Sequence, residues 1–99
     1  MTIEDIRGEE IVKICKQKEI IEQYKGILVN NGVPNDDVYR HLRMFLASEK
    51  LVGEDVALSS LFLVDNNLDI TIKKDALESR IHKKYMRQAA LNNLIQYKI

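Results

Sequence analysis

The hydrophobic positions of this chain recur with helical spacing over three long stretches. From residue 9 to about residue 30 they form two groups on nearly opposite sides of one helix, which we predict to be continuous or slightly kinked. Thr2 can cap the first turn of this region. A second, amphipathic helix is predicted from Asn35 to about Glu49. Its apolar stripe comprises Val38, Tyr39, Leu42, Phe45 and Leu46.

The third stretch, from Thr71 to about Ala90, has an apolar face and a cationic face. The apolar stripe, which we expect to face the core, comprises Leu77, Ile81, Tyr85, Met86 and Ala89. The opposite side carries the cationic stripe of Lys73, Arg80, Lys83, Lys84 and Arg87. Five like charges on one helix face repel one another unless something compensates them. The stripe is therefore either a solvated outer face or the contact surface for an anionic partner.

The last turns of this helix follow a different pattern. Leu91, Leu94 and Ile95 lie on the side that carries the cations. The helix must therefore bend at Asn92 and Asn93 or pack against another surface. We predict these three residues as an oligomer interface, most simply that of a homodimer.

The segment from residue 54 to residue 72 fits two structures. A helix over 55–64, buried on all sides, is favoured slightly by the density of apolar residues. The alternative is a β-hairpin over 61–72, because Ile and Thr alternate after Asp65-Asn66-Asn67 and Asn favours tight turns. The choice decides whether a short β-hairpin accompanies the helices.

A tight turn separates the first two predicted helices. Gly32 and the preceding asparagines tolerate a left-handed conformation after a helix, and Pro34 cannot continue one. Asn35, Asp36 and Asp37 suit the start of the next helix. The two helices must therefore meet at an angle.

The run from Gly32 to Leu42, with its Gly, Val, polar cap and Val-Tyr-Arg-His-Leu ending, resembles the turn and recognition helix of helix-turn-helix DNA-binding proteins. The tetracycline-type repressors and the metal-sensing winged-helix repressors have a comparable pattern. The resemblance covers residues 20–52 and implies a DNA-reading helix, with residues 61–72 as the wing. Two carboxylates at the head of that helix would be repelled by phosphates, so we interpret the corner at 20–49 as a scaffold.

The zero net charge conceals an uneven distribution. Residues 51–70 contain four acidic and no basic side chains, whereas residues 71–99 contain seven basic and two acidic ones. The cationic stripe could therefore contact phosphates, or dock on the acidic stretch from Glu54 to Asp69 of this or a second molecule. Arg40 and Arg43 are predicted as secondary contacts for a nucleic acid or other partner.

Composition sets the remaining limits. At 99 residues and 45% hydrophobic side chains, the chain predicts a single domain over 1–99 with its own core. No apolar run suggests a signal peptide or a membrane span, and Cys15 has no partner in the chain, so a reducing cytoplasmic location is expected. Cys15 is most simply a small buried residue. His41 and His82 match no catalytic or zinc pattern, so we expect no enzyme activity, cofactor, metal or small-molecule substrate.

Together these patterns predict a mainly α-helical domain of four or five helices packed as a small bundle, with the helix-turn-helix-like corner and the possible hairpin. The leading functional hypothesis is a nucleic-acid-associated regulator, dimeric, whose basic C-terminal helix contacts phosphates. The alternative is a protein-binding adaptor or inhibitor of the small, phage-like kind that acts through exposed helix faces.

Overall fold

The protein has three α-helices and one β-hairpin in the part of the chain that the structure describes. The structure is a computed structural model that describes the backbone of residues 2–97 and the side chains of residues 2–93. In chain order the elements are α1 (Ile3–Asn30), α2 (Asn35–Ser48), a short 3₁₀ turn (Leu58–Ser60), β1 (Phe62–Val64), β2 (Ile70–Ile72) and α3 (Lys74–Tyr97). The mainly helical prediction is confirmed, but there are fewer helices than the four or five expected.

Helix α1 is a single continuous helix that begins at a capping box. The Thr2 hydroxyl accepts a hydrogen bond from the Asp5 main chain at 3.2 Å, and the Asp5 carboxylate accepts one from the Thr2 main chain at 3.1 Å. This pair satisfies two of the amides that a helix start leaves unpaired. The buried residues then follow one another at intervals of four and three, which keeps one side of the helix against the core. They are Ile6, Glu10, Ile14, Gln17 and Ile21.

The turn between α1 and α2 follows the geometry that Gly32 predicts. Gly32 has φ of +76°, and its main-chain N–H donates to the Val29 carbonyl at 3.1 Å. The N–H of Val33 reaches back to the Leu28 carbonyl, also at 3.1 Å. These two bonds are those of a Schellman motif, which ends the helix and turns the chain towards α2.

Residues 55–64 do not form the helix that we favoured. Leu58–Ser60 is a single 3₁₀ turn, and Phe62–Val64 pairs with Ile70–Ile72 as an antiparallel hairpin. The hairpin alternative is therefore confirmed. Its turn is held by the Asp65 carboxylate, which accepts from the main-chain N–H groups of Asn67 and Asp69, at 2.9 Å each. Such side-chain acceptance competes with helix formation and favours a turn.

The core lies between α1, α2 and the hairpin. Its most buried members include Ile14, Ile21, Val38, Leu42, Leu51, Leu58, Leu61 and Phe62. Leu68 completes it from the hairpin turn with φ of +67°, a conformation that a leucine rarely adopts. Lys25 of α1 donates to the Leu68 carbonyl at 2.7 Å, so this turn is fixed to α1 by both an apolar and a polar contact.

Helix α3 buries a different face from the one predicted. Ile81 is fully buried and Leu77 packs on the core, but Tyr85 and Met86 are exposed. Arg80 and Lys84 lie instead on the side of α3 that contacts α1, because they form ion pairs there with Glu10. Cys15 is likewise exposed, contrary to its predicted burial, since it lies outside the buried stripe of α1.

The molecule is elongated, with dimensions of 63 × 21 × 19 Å and a radius of gyration of 17.1 Å. A compact domain of this length has a radius of gyration of about 13 Å. The 28 residues of α1 and the 24 residues of α3 correspond to about 42 Å and about 36 Å of helix. Neither helix alone is as long as the long axis of the molecule, so more than one element contributes to it. No helix in the described range 2–97 has the length and apolar character needed to cross a membrane.

Candidate functional site

Five charged side chains from three parts of the chain meet where α3 crosses α1. Glu10 and Lys13 come from α1, Glu54 comes from the loop after α2, and Arg80 and Lys84 come from α3. Glu10, Lys13, Glu54, Arg80 and Lys84 are called the charge cluster below. Arg80 and Lys84 can both reach the cluster because residues four apart in a helix lie one turn apart on the same face.

Glu10 is at the centre of the charge cluster and is only 2% exposed. Its Oε2 atom accepts a hydrogen bond from Arg80 Nε at 2.7 Å, and Oε1 accepts one from Lys84 Nζ. Lys13 Nζ lies 3.7 Å from Oε1, at the solvent side of the cluster. Both carboxylate oxygens therefore have charged donors, which is what a buried carboxylate needs.

Glu54 covers the cluster from the opposite side. It forms an ion pair with Nη2 of Arg80, accepts a hydrogen bond from Lys84 Nζ at 2.9 Å and lies 3.5 Å from Lys13 Nζ. The loop that carries it turns at Gly53, where φ is +77°. Glu54, the first residue of the acidic stretch from Glu54 to Asp69, thus contacts two members of the cationic stripe within the same chain.

The charge cluster changes the protonation equilibrium of Glu10. Burial by itself raises the pKa of this carboxyl group, but the hydrogen bonds from Lys84 and Arg80 and their positive charges outweigh that effect. The pKa of Glu10 is therefore held below its ordinary value. Nearby, the hydrogen bond from Arg7 similarly lowers the pKa of Glu78, at the exposed edge of the same helix crossing.

A groove of about 440 Å³ opens between α3 and the loop before β1, and it is called the α3 groove below. Its cationic side is formed by Arg80, Lys83, Lys84 and Arg87, and its floor is apolar. Glu54 is the single carboxylate among its described lining residues. Lys83 and Arg87 are exposed at the rim, and the Ser60 and Ser79 side chains provide hydroxyl groups. The groove is thus a concave surface in which Glu10 and Glu54 pair with Arg80 and Lys84, while the charges of Lys83 and Arg87 remain exposed at the rim.

The structure brings four of the five residues of the cationic stripe to this groove. Lys73 lies apart from them, at the end of the hairpin, and donates to the Ser59 carbonyl at 2.9 Å. Arg40 and Arg43 belong to α2 and to another surface. Arg40 lies 3.3 Å from the Asp37 carboxylate, and the Arg43 guanidinium lies 5.6 Å from the ring centre of Tyr39. The stripe and the α2 arginines are therefore separate features.

The predicted oligomer interface is only partly described. Leu91 is 50% exposed on α3, whereas the side chains of Leu94 and Ile95 lie outside the described residues. Met86, with 52% exposure, and Tyr85 add apolar surface on another side of the same helix. No side-chain group of three or more potential metal ligands occurs within the described range.

Sequence reasoning missed Glu10 and Glu54 as members of the site. For Glu10 a signal exists, because it stands at the position of the α1 stripe between Ile6 and Ile14. A carboxylate at a buried position among apolar residues needs a cationic partner. The segment that forms α3 contains the densest group of lysines and arginines in the sequence. For Glu54 the sequence contains no comparable signal, since its position depends on the loop fold.

Comparison with known proteins identifies no family for this chain. No protein-family model matches the chain, and neither a curated protein nor a solved structure is significantly similar to it. Any function must therefore be inferred from the chain's own residues, and the resemblance to helix-turn-helix proteins stays a prediction.

Proposed function

We propose that this chain is a non-enzymatic adaptor or inhibitor that binds an acidic segment of a protein partner in the α3 groove. The observation that carries the proposal is the charge cluster behind the groove. Glu10 and Glu54 fix Arg80 and Lys84 in place, while Lys83 and Arg87 remain exposed beside them. Cations that are already ordered lose little side-chain entropy on binding an anion, which favours affinity.

The shape of the groove favours a protein segment over a nucleic-acid duplex. Its apolar floor, formed by Val56, Leu61 and Ala76, suits the aliphatic part of a peptide. Duplex binding draws its affinity from many phosphate contacts spread over one positive surface. Here Glu10 and Glu54 already compensate two cations of the stripe, and Arg40 pairs with Asp37.

Nucleic-acid association is the second candidate, and one observation favours it. Lys83 and Arg87 are exposed on α3, and Lys73 and Lys74 are exposed where this helix begins. These cations can reach phosphates even without a groove, as the regulator hypothesis requires. Such binding would be largely sequence-independent and steeply salt-dependent.

A binding titration separates the two candidates. Fluorescence anisotropy is measured with labelled decaglutamate and with a labelled DNA duplex, at low and at physiological salt. We expect decaglutamate to bind more tightly than the duplex. If the duplex binds more tightly, with an affinity that falls steeply with salt, the nucleic-acid candidate is correct instead.

Charge reversal at the rim of the α3 groove tests whether this groove is the binding surface. The double variant Lys83→Glu/Arg87→Glu is expected to weaken decaglutamate binding by about tenfold or more. Arg80 is unsuitable for this test, because its replacement breaks the buried charge cluster. The matched control Lys16→Glu/Lys18→Glu makes the same charge change on α1, where neither lysine forms an ion pair with a described residue. Equal losses in the two double variants would refute the α3 groove as the binding site.

We further propose that the protein forms a homodimer through the C-terminal part of α3. The half-exposed side chain of Leu91 and the elongated shape support this proposal. Sedimentation at tens of micromolar protein tests it. A monomer at that concentration would exclude a stable dimer.

A further inference from the structure

We infer that an acidic partner segment binds the α3 groove by placing one carboxylate where Glu54 now lies, so that Glu54 is a built-in competitor for this site. The inference rests on the proposed function of the α3 groove, and it adds how the partner is recognised and how its access is regulated. The contacts of Glu54 carry it. This carboxylate forms the ion pairs that an acidic ligand would form with Arg80 and Lys84, yet it belongs to a loop of the chain itself.

The two carboxylates of the charge cluster differ in their access to solvent. The Glu10 side chain is 2% exposed, whereas the Glu54 side chain is 17% exposed and lines the α3 groove. Removing one member of a fully buried ion pair is strongly destabilising. Glu10 is therefore a permanent partner of Arg80 and Lys84. Glu54 reaches the same cations from the groove, where a carboxylate of another molecule can replace it.

The Glu54 side chain can leave the cations without a change in the main chain of its loop. Leu51 N–H donates to the Val56 carbonyl at 3.0 Å, and Glu54 N–H donates to the Leu51 carbonyl at 3.0 Å. Neither bond involves the Glu54 side chain. Glu54 also lines an open polar depression together with its exposed neighbours Gly53 and Asp55. Rotation about its side-chain bonds is therefore sufficient to move the carboxylate into solvent.

The cations around Glu54 require an anion in its place. Lys84 Nζ lies 2.9 Å and Lys13 Nζ lies 3.5 Å from the Glu54 carboxylate, which also forms an ion pair with Nη2 of Arg80. Cations that are partly removed from water need a compensating charge. The place of Glu54 therefore selects a carboxylate over a neutral amide. The exposed cations at the rim of the α3 groove attract the rest of an acidic segment.

A titration of labelled decaglutamate, followed by fluorescence anisotropy, tests the competition. A protein whose binding-competent state is only partly populated binds its ligand with an affinity reduced by that fraction. The variant Glu54→Gln removes the competing carboxylate, so we expect it to bind decaglutamate more tightly than the natural chain, by about fivefold or more. Equal or weaker binding by this variant would overturn the inference, because Glu54 would then only keep Arg80 and Lys84 in position.

Two further variants separate competition from a general change in charge. Asp55→Asn makes the same charge change at the next residue, whose exposed carboxylate lies 3.8 Å from Lys50 Nζ. It should alter the affinity by less than about twofold. Glu54→Asp keeps the charge but shortens the side chain by one methylene group, so binding should still become tighter. Equal gains in Glu54→Gln and Asp55→Asn would contradict competition at the groove.

A measurement on the natural chain does not depend on the folding of any variant. The side-chain carboxyl carbons of the isotope-labelled chain are followed by NMR while decaglutamate is added. We expect the Glu54 carboxyl resonance to shift, because its cationic partners are exchanged for solvent, and the Glu10 resonance to shift much less. A Glu54 resonance that stays constant up to saturation would refute the exchange.

The outcomes distinguish this inference from the proposed function. If decaglutamate binds the natural chain and requires Lys83 and Arg87, but Glu54→Gln does not strengthen binding, the inference alone fails. If only the Glu54→Gln variant binds, the proposed function fails for the natural chain, and competition by Glu54 is supported. If neither protein binds decaglutamate, both fail.

Discussion

Glu10 stands at a position of α1 where its neighbours in the buried stripe, Ile6 and Ile14, are apolar. Its burial is tolerated because Arg80 and Lys84 bring two charged donors to it from α3. Replacing one member of such a buried group leaves the others desolvated and only partly paired, which costs more than losing an exposed ion pair. The packing of α3 against α1 therefore depends on the Glu10 carboxylate.

We predict that Glu10→Gln lowers the free energy of unfolding by about 3 kcal/mol. The amide removes the negative charge while keeping the shape, so Arg80 retains only Glu54 as an anionic partner. Urea denaturation measures the change. The exposed neighbour Glu9 provides the control, and Glu9→Gln should change stability by less than about 0.5 kcal/mol. Equal effects of the two variants would contradict the role of Glu10.

The lowered pKa of Glu10 predicts a loss of stability in acid. A group whose pKa is lower in the folded than in the unfolded state stabilises the fold fully above the unfolded value and loses that contribution as the pH falls. For Glu10 the loss begins near the unfolded value of about 4.3 and continues down through its folded pKa. The free energy of unfolding, measured from neutral to acidic pH, should therefore decrease less in Glu10→Gln than in the natural chain. Parallel curves for the two proteins would contradict this prediction.

At the scale of single elements, the end of α1 shows how local chemistry sets the chain direction. Gly32 adopts the positive φ of the Schellman motif. Its main-chain N–H donates to the Val29 carbonyl, and the main-chain N–H of Val33 donates to the Leu28 carbonyl. The angle between α1 and α2 depends on this turn, and so does the position of α2 against the hairpin. A side chain at residue 32 has room around it, so strain there arises from the backbone alone.

We predict that Gly32→Ala destabilises the fold by about 1 kcal/mol, because a Cβ disfavours the left-handed conformation. Gly26 is the matched control. It lies inside α1, nothing comes within 4 Å of an added Cβ, and its φ is helical. Gly26→Ala should therefore stabilise the protein by about 0.5–1 kcal/mol. Thermal unfolding of both variants would reveal the opposite signs, and destabilisation by both would contradict this account of the turn.

Helix α3 was the element whose orientation sequence reasoning described least well. Its most apolar stripe, which includes Tyr85 and Met86, predicted the core face, yet the buried side includes Arg80 and Lys84. The reason lies outside the helix. Glu10 and Glu54 come from distant parts of the chain, and their combined charge compensates the two partly buried cations.

For the whole molecule, the sequence predicted those features that depend on local chemistry. The helix class, the continuity of α1, the cap at Thr2 and the turn at Gly32 follow from spacing and capping residues. The outcome at 55–64 could not be predicted, because Leu58, Leu61 and Phe62 are buried equally well by a helix or by a 3₁₀ turn and strand. The α3 groove also could not be predicted, since it requires the loop at Glu54 to fold against α3.

Amide chemical-shift mapping can show directly whether the α3 groove binds acidic protein segments. Unlabelled decaglutamate is titrated into the isotope-labelled, intact chain. We expect the largest shifts at Ser60, Ser79, Lys83 and Arg87, with little change at Arg40. Shifts that are absent, or that concentrate on α2 while α3 is unaffected, would contradict this expectation.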